Sequence, residues 1–120
     1  MFGLAVGTDL SALRGCTLES FSLSQHQVQL RFDSLNRISV SVEANFAVID
    51  ADATACLYEH VPDAAAALAA LLDVQIVDAL VATPGTVTLR FATGTTIEIY
   101  DSSQHYESYQ IYIGDRVIVV

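Results

Sequence analysis

The sequence predicts an α+β fold: a mostly antiparallel sheet built from two similar hairpin-containing β units, with one central helix over about residues 62–72. Three observations carry that expectation. Val28-Gln29-Leu30-Arg31-Phe32 and Val87-Thr88-Leu89-Arg90-Phe91 are two versions of one segment, 59 positions apart, and the match runs on without a gap through Ile38/Ile97. That gives five identities over residues 28–40, with Val40/Ile99 a conservative sixth. Apolar and polar residues alternate through both copies, the period of a strand with one buried face. A run of strong helix formers, Ala64 to Leu72, separates them. At 120 residues the expectation is a single domain, 1–120, with pseudo-repeat units at about 15–43 and 74–102.

The first unit opens on a strand predicted by Leu18, Phe21 and Leu23, with a turn near Ser24-Gln25-His26. Val28, Leu30 and Phe32 then share one face, and Gln27, Gln29 and Arg31 the other; Ile38, Val40 and Val42 alternate with Ser39, Ser41 and Glu43. A turn centred on Leu35 pairs Phe32 with Ile38 and Leu30 with Val40, and a one-residue slip would break that facing. Phe46 to Ile49 reads as a further short strand and Asp50 to Thr54 as loop. Pro62 and Asp63 suit a helix start. Leu68, Leu71 and Leu72 form its apolar stripe, with Ala64 and Ala65 one turn earlier. The opposite face is alanine too (Ala66, Ala70), so both sides are expected to be covered.

The second unit leads from Val74, Ile76 and Val77 through Leu80 to the turn Thr83-Pro84-Gly85. Thr86 to Phe91 and Thr96 to Tyr100 form the second hairpin, turning at Thr93-Gly94. The same facing rule pairs Phe91 with Ile97 and sets Arg90 opposite Glu98 as an ordinary cross-strand ion pair. Tyr106 to Ile113 and Arg116 to Val120 close the chain around a tight turn at Gly114-Asp115. Val117-Ile118-Val119-Val120 would aggregate as an open edge, so it is expected inside a sheet or across a subunit interface.

Leu89-Arg90-Phe91-Ala92-Thr93-Gly94 and Tyr106-Glu107-Ser108-Tyr109 carry a resemblance. Over residues 15–113 the chain resembles a family of small uncharacterised bacterial proteins, a domain of unknown function. That family has a Leu-x-Phe-x-x-Gly hairpin followed by a Tyr-Glu-Ser-aromatic segment. The resemblance implies the fold and no established activity.

Composition excludes several classes. Hydrophobic residues are 52% and charged residues 16%, which rules out disorder. So few charges leave more apolar surface than a monomer this small easily hides, so a homo-oligomer is expected, a dimer first. The net charge is −9 and the only cationic side chains are Arg14, Arg31, Arg37, Arg90 and Arg116. Without a basic stripe there is no counterion release to drive nucleic-acid binding, and anionic membranes are disfavoured. A basic protein partner is permitted. The start of the chain has no basic flank, and the longest apolar run, Ala64 to Leu72, is nine residues, too short to span a bilayer. The simplest location is the cytoplasm, where Cys16 and Cys56 are expected as reduced thiols.

The densest polar-aromatic cluster is His105-Tyr106-Glu107-Ser108-Tyr109. A His and a Glu this close have the chemistry of an acid–base pair. If this segment is extended, His105 and Glu107 share one face and Tyr106 and Ser108 the other. No third group is placed to orient the imidazole, so a strand entry with solvated His and Glu is the simpler reading. His105, Tyr106, Glu107, Tyr109 and Tyr112 are nonetheless the ligand or partner candidates, since tyrosine-rich surfaces suit partners. Cys56 and His60 would lie one turn apart on a helix, but two ligands do not make a zinc site. Phosphate loops, dinucleotide fingerprints, zinc-protease and nucleophile-elbow motifs are absent, and no catalytic residue, metal or cofactor is expected. The expected function is a non-enzymatic oligomeric or protein-interaction module. The alternatives are a small-molecule binder or minor enzyme near His105 and Glu107, and an acidic inhibitor or immunity-type protein for a basic partner.

Overall fold

A computed structural model describes residues 6–33, 37–43, 45–101, 109–114 and 116–119. Among them, ten strands make two five-stranded antiparallel sheets, with one short α-helix, α1 (Ala65–Ala69). This is the predicted α+β class. The first sheet runs β1 (Thr17–Leu23), β2 (Val28–Asp33), β3 (Ile38–Val42), β9 (Tyr109–Ile113), β10 (Arg116–Val119). The second runs β5 (Ala55–Tyr58), β4 (Phe46–Ile49), β8 (Thr96–Ile99), β7 (Thr86–Phe91), β6 (Ile76–Thr83). Each sheet is therefore a three-strand meander completed by a hairpin that belongs, in chain order, to the other meander. After β3 the chain crosses over and the β4–β5 hairpin pairs on β8; after β8 the β9–β10 hairpin pairs on β3.

The sheets join where β1 meets β6. Gly15 N–H donates to Ile76 O and Asp73 N–H to Leu18 O, both at 2.8 Å. Ile76 N–H donates to Cys16 O at 2.8 Å and Leu18 N–H to Val74 O at 3.2 Å, around the bridge Thr17–Gln75. Shifting each residue number by 58 turns every one of these bonds into its mate, so the junction is a pseudo-dyad. The relation extends upstream. The 3₁₀ turn Ser11–Leu13 corresponds to the end of the helical stretch, with Leu13 N–H to Leu10 O and Leu71 N–H to Leu68 O both at 3.0 Å. The helix is thus the opening of the second half, where sequence placed it between two units.

β1 and β6 each carry a bulge at matching places, between Leu18 and Ser20 and between Ile76 and Asp78. Opposite the bulges stand the residues of the shared Leu-Arg-Phe. Phe32 faces Leu18 and Phe91 faces Ile76; Arg31 faces Ser20 and Arg90 faces Asp78. A bulge adds one residue to one strand and re-aims the side chains beyond it. The Phe fills the core beside it and the Arg covers the outer face.

The first hairpin has the predicted register, with Phe32 facing Ile38, Leu30 Val40 and Val28 Val42. The second does not. Leu89 faces Ile97, Arg90 faces Thr96 and Glu98 faces Thr88, so the expected Phe91–Ile97 and Arg90–Glu98 pairs do not form. Phe91 N–H instead donates to Thr95 O at 2.8 Å, closing a three-residue loop in which Gly94 takes φ +87°. A turn followed by a left-handed residue is the usual three-residue hairpin, and glycine adopts that conformation without a Cβ clash. Here a Cβ would also approach the Ala51 Cβ to 3.0 Å, because this turn packs on the β4–β5 turn.

Both inner faces and the helical stretch feed one buried cluster that includes Leu13, Leu18, Leu30, Val40, Phe46, Leu68, Leu71, Leu89, Ile97 and Ile111. The helical stretch is shorter than predicted: a 3₁₀ turn over Val61–Ala64 leads into α1. Ala64, Leu68 and Leu71 are buried as expected, whereas Ala65 and Leu72 are exposed, because the short helix offers only a narrow stripe to the sheets. Among the described residues β10 pairs only with β9 and Val117 is half exposed, so within the described sheet the C-terminal strand stands at an edge rather than inside.

Candidate functional site

His105, Tyr106 and Glu107 lie outside the described residues. Tyr109 and Tyr112 are three apart on β9 and point to opposite faces. Tyr109 is buried, and its hydroxyl donates to Gly85 O at 2.9 Å in the β6–β7 turn. Burial, with the Asp101 carboxylate adding, pushes its phenol well above the ordinary tyrosine range. Tyr112 is half-buried on the outer face, and its hydroxyl donates to Gln110 Oε1. Cys56 and His60 do not share a helix, because Cys56 stands in strand β5. Among the described residues no group of three or more His, Cys, Asp or Glu is gathered closely enough to hold a metal ion. No helix of the described residues is long and apolar enough to cross a membrane.

Strand β5 is open to solvent. Among the described residues it pairs only with β4, and Ala55, Cys56 and Leu57 are all exposed, Leu57 at 53%. Asp50 N–H donates to Thr54 O at 2.9 Å at the head of this ladder. Bonded and non-bonded pairs alternate along an antiparallel ladder. Cys56 and Tyr58 therefore turn their backbone groups to β4, and Ala55 and Leu57 turn theirs outward. These are the unpaired amides and carbonyls on which an added strand forms.

Beside this edge lies a groove of about 430 Å³ lined by Asn45, Ala47, Ala55, Leu57 and Tyr100. Ala47 faces Leu57 across the ladder and forms the floor. Tyr100 continues β8, its N–H donating to Asn45 O at 3.2 Å, and its hydroxyl donates to Glu98 Oε2 at 2.9 Å. Burial and that carboxylate together hold the Tyr100 phenol above its ordinary range. The opposite side of β5 carries Tyr58, whose ring lies 5.6 Å from that of Phe46. Its phenol is raised first by the neighbouring Cys56 side chain, then by burial and the Asp50 and Asp63 carboxylates.

Carboxylates stand at both ends of the edge. Asp50 and Asp52 are in the β4–β5 turn, and Glu59 and Asp63 follow β5, all exposed. Asp52 Oδ1 accepts Thr54 N–H at 3.0 Å, and hydrogen bonds from Thr54, backbone first, keep this carboxyl below its ordinary value. Sequence reasoning missed β5 because Ala55-Cys56-Leu57-Tyr58 shows no polar alternation. The signal that could have found it was a short apolar run ending in Tyr58 after an Asp-rich turn.

A family model described as a family of unknown function (DUF6188) matches residues 9–120, and the chain belongs to that family. No curated protein and no solved structure matches it.

Proposed function

Taking the chain as a DUF6188 protein, we propose that it is a non-enzymatic protein-interaction module whose working element is the open edge at β5. The supporting observation is the conjunction there of outward backbone groups at Ala55 and Leu57 with the apolar groove beside them. A strand added to a sheet edge gains its affinity from main-chain hydrogen bonds and its selectivity from side-chain pockets. The edge supplies the first and the groove the second. Natural sheets usually guard an exposed edge with lysine, proline or a bulge, and β5 carries none of these. The cytoplasm is the location this reading carries, in keeping with the two free cysteines, one buried and one exposed. A homo-oligomer, dimer first, is the alternative occupant, with a second copy supplying the added strand.

The test is a blocked-end peptide of alternating Val and Thr added to isotope-labelled protein. Its binding is expected to be weak, with a Kd on the order of millimolar. Amide shifts and slowed hydrogen exchange should appear at Ala55 and Leu57. Leu57→Pro removes an outward N–H without touching the ladder to β4 and should abolish the response. Ala55→Pro serves the same purpose if that variant does not fold. Shifts spread elsewhere, or unchanged by both prolines, would count against the edge.

A further inference from the structure

The charge around β5 narrows the occupant. From Ser39 to Leu89 the chain contains no Lys or Arg, yet it holds Glu43, Asp50, Asp52, Glu59, Asp63, Asp73 and Asp78. Four of these frame β5, two beyond each end, and all four are exposed. Arg90, the nearest arginine within this sheet, sits on β7, separated from β5 by β4 and β8.

A second copy is the poorer occupant. Antiparallel pairing of two β5 edges would bring Asp50 and Asp52 of one copy toward Glu59 and Asp63 of the other. Like charges placed across an interface cost affinity and slow association. The same carboxylates attract a cationic chain.

Resting on the strand-addition reading above, we propose that the β5 edge takes an extended, cationic segment of another protein as a sixth strand of this sheet. An extended chain rises about 3.3 Å per residue, so a segment of about six to eight residues spans the frame. Its Arg or Lys side chains face Asp50 and Asp52 at one end and Glu59 and Asp63 at the other. An apolar residue between them lies beside Leu57 in the groove over Ala47. The main-chain bonds form whatever the sequence of the segment, and the carboxylates select for its charge.

Three blocked-end peptides of one length separate the claims: Val alternating with Thr, with Arg, or with Glu. Binding is followed at the Ala55 and Leu57 amides of the full chain. At low ionic strength the Arg peptide is expected to bind at least about tenfold tighter than the Thr peptide, and the Glu peptide more weakly than either. The Arg advantage should shrink as salt brings the Debye length to about 8 Å. The variant Asp50→Asn/Glu59→Gln/Asp63→Asn should keep the Thr peptide and lose the preference for Arg. Docking of the Thr peptide without an Arg preference would overturn the cationic occupant and leave strand addition standing. Failure of all three would sink both. An Arg preference that survives the triple variant would place its cause elsewhere and overturn the proposal. So would a wild-type dimer in sedimentation that Leu57→Pro dissolves, because the second copy would then be the occupant.

Discussion

Around the pseudo-dyad the two halves of the chain make the same hydrogen bonds, with some side chains kept and others changed. Leu10 and Leu13 stand where Leu68 and Leu71 stand, Gly15 where Asp73 stands, and Arg14 where Leu72 stands. Away from the axis the halves part. The first hairpin spans its loop with Phe32 facing Ile38, and the second tightens to three residues at Gly94. Arg14 pairs with Asp78 at 3.0 Å, while the two matching positions on the other side hold Ser20 and the exposed Leu72, which carry no charge to pair. The dyad-related edges differ most: β5 is framed by carboxylates, whereas β10 begins with an arginine. The shared part is scaffold, since it fixes backbone and core. The part free to differ is turns and edges, and binding chemistry is therefore sought there.

The largest expected effect tests whether the scaffold is equivalent. Phe32 and Phe91 are both buried and both lie opposite a bulge. Truncating a buried Phe to Ala removes its transfer energy and leaves a cavity, about 3–5 kcal/mol in total. Phe32→Ala and Phe91→Ala should each lose that much in urea unfolding, and by similar amounts. A difference greater than about 2 kcal/mol would show that the two bulge sites are not energetically equivalent, since a like site collapses alike.

The exchanged hairpins offer a smaller and pH-dependent contrast. Phe46 opens the first and is held by the Tyr58 ring, whereas Tyr109 opens the second and is held by its bond to Gly85 O. Tyr109→Phe should cost about 1–2 kcal/mol at neutral pH, because a buried carbonyl loses its donor. The folded phenol lies above its unfolded value of 10.0, so its contribution is complete below that pH and is lost as pH rises beyond it. The wild-type urea midpoint should therefore drop as pH rises above about 10, and the Tyr109→Phe midpoint should drop less. Tyr58 and Tyr100 are raised too and keep some alkaline sensitivity in the variant. Parallel loss in the two proteins would separate Tyr109 from the alkaline limb.

Legibility in the sequence divides along the same line between scaffold and edges. The first hairpin register was readable because Val28, Leu30 and Phe32 against Ile38, Val40 and Val42 allow one facing near that turn. The second was misread by two residues. A two-residue shift keeps every side chain on its face, so facing alone cannot choose, and the decision lay in the conformation of Gly94. The hairpin exchange was not readable, because β4 and β9 seek partners far along the chain and nothing local names them. The Leu10/Leu68 relation hid in a stretch of small residues. Tyr109 and Tyr112 point apart for a reason the period of two already contains: three positions apart, they cannot share a face of one strand. The β5 edge was missed since an exposed edge strand need not alternate.

The smallest effect probes the dyad at the residue where its halves use different chemistry. Gly15 has φ +83° and Asp73 φ +64°, so both positions are left-handed. A Cβ on Gly15 would meet nothing nearer than Gln75 Nε2 at 3.8 Å, so Gly15→Ala isolates the backbone cost, about 1–2 kcal/mol. Asp73 already bears that kind of strain, softened because aspartate visits this region more readily than alanine. Asp73→Gly should therefore raise stability by less than about 1 kcal/mol, the relief being partly offset by the greater freedom of glycine in the unfolded chain. The opposite signs of these two changes in urea unfolding are the expected signature of one backbone site occupied twice. Destabilisation by Asp73→Gly would mean that the aspartate side chain, and not the turn alone, holds the second half in place.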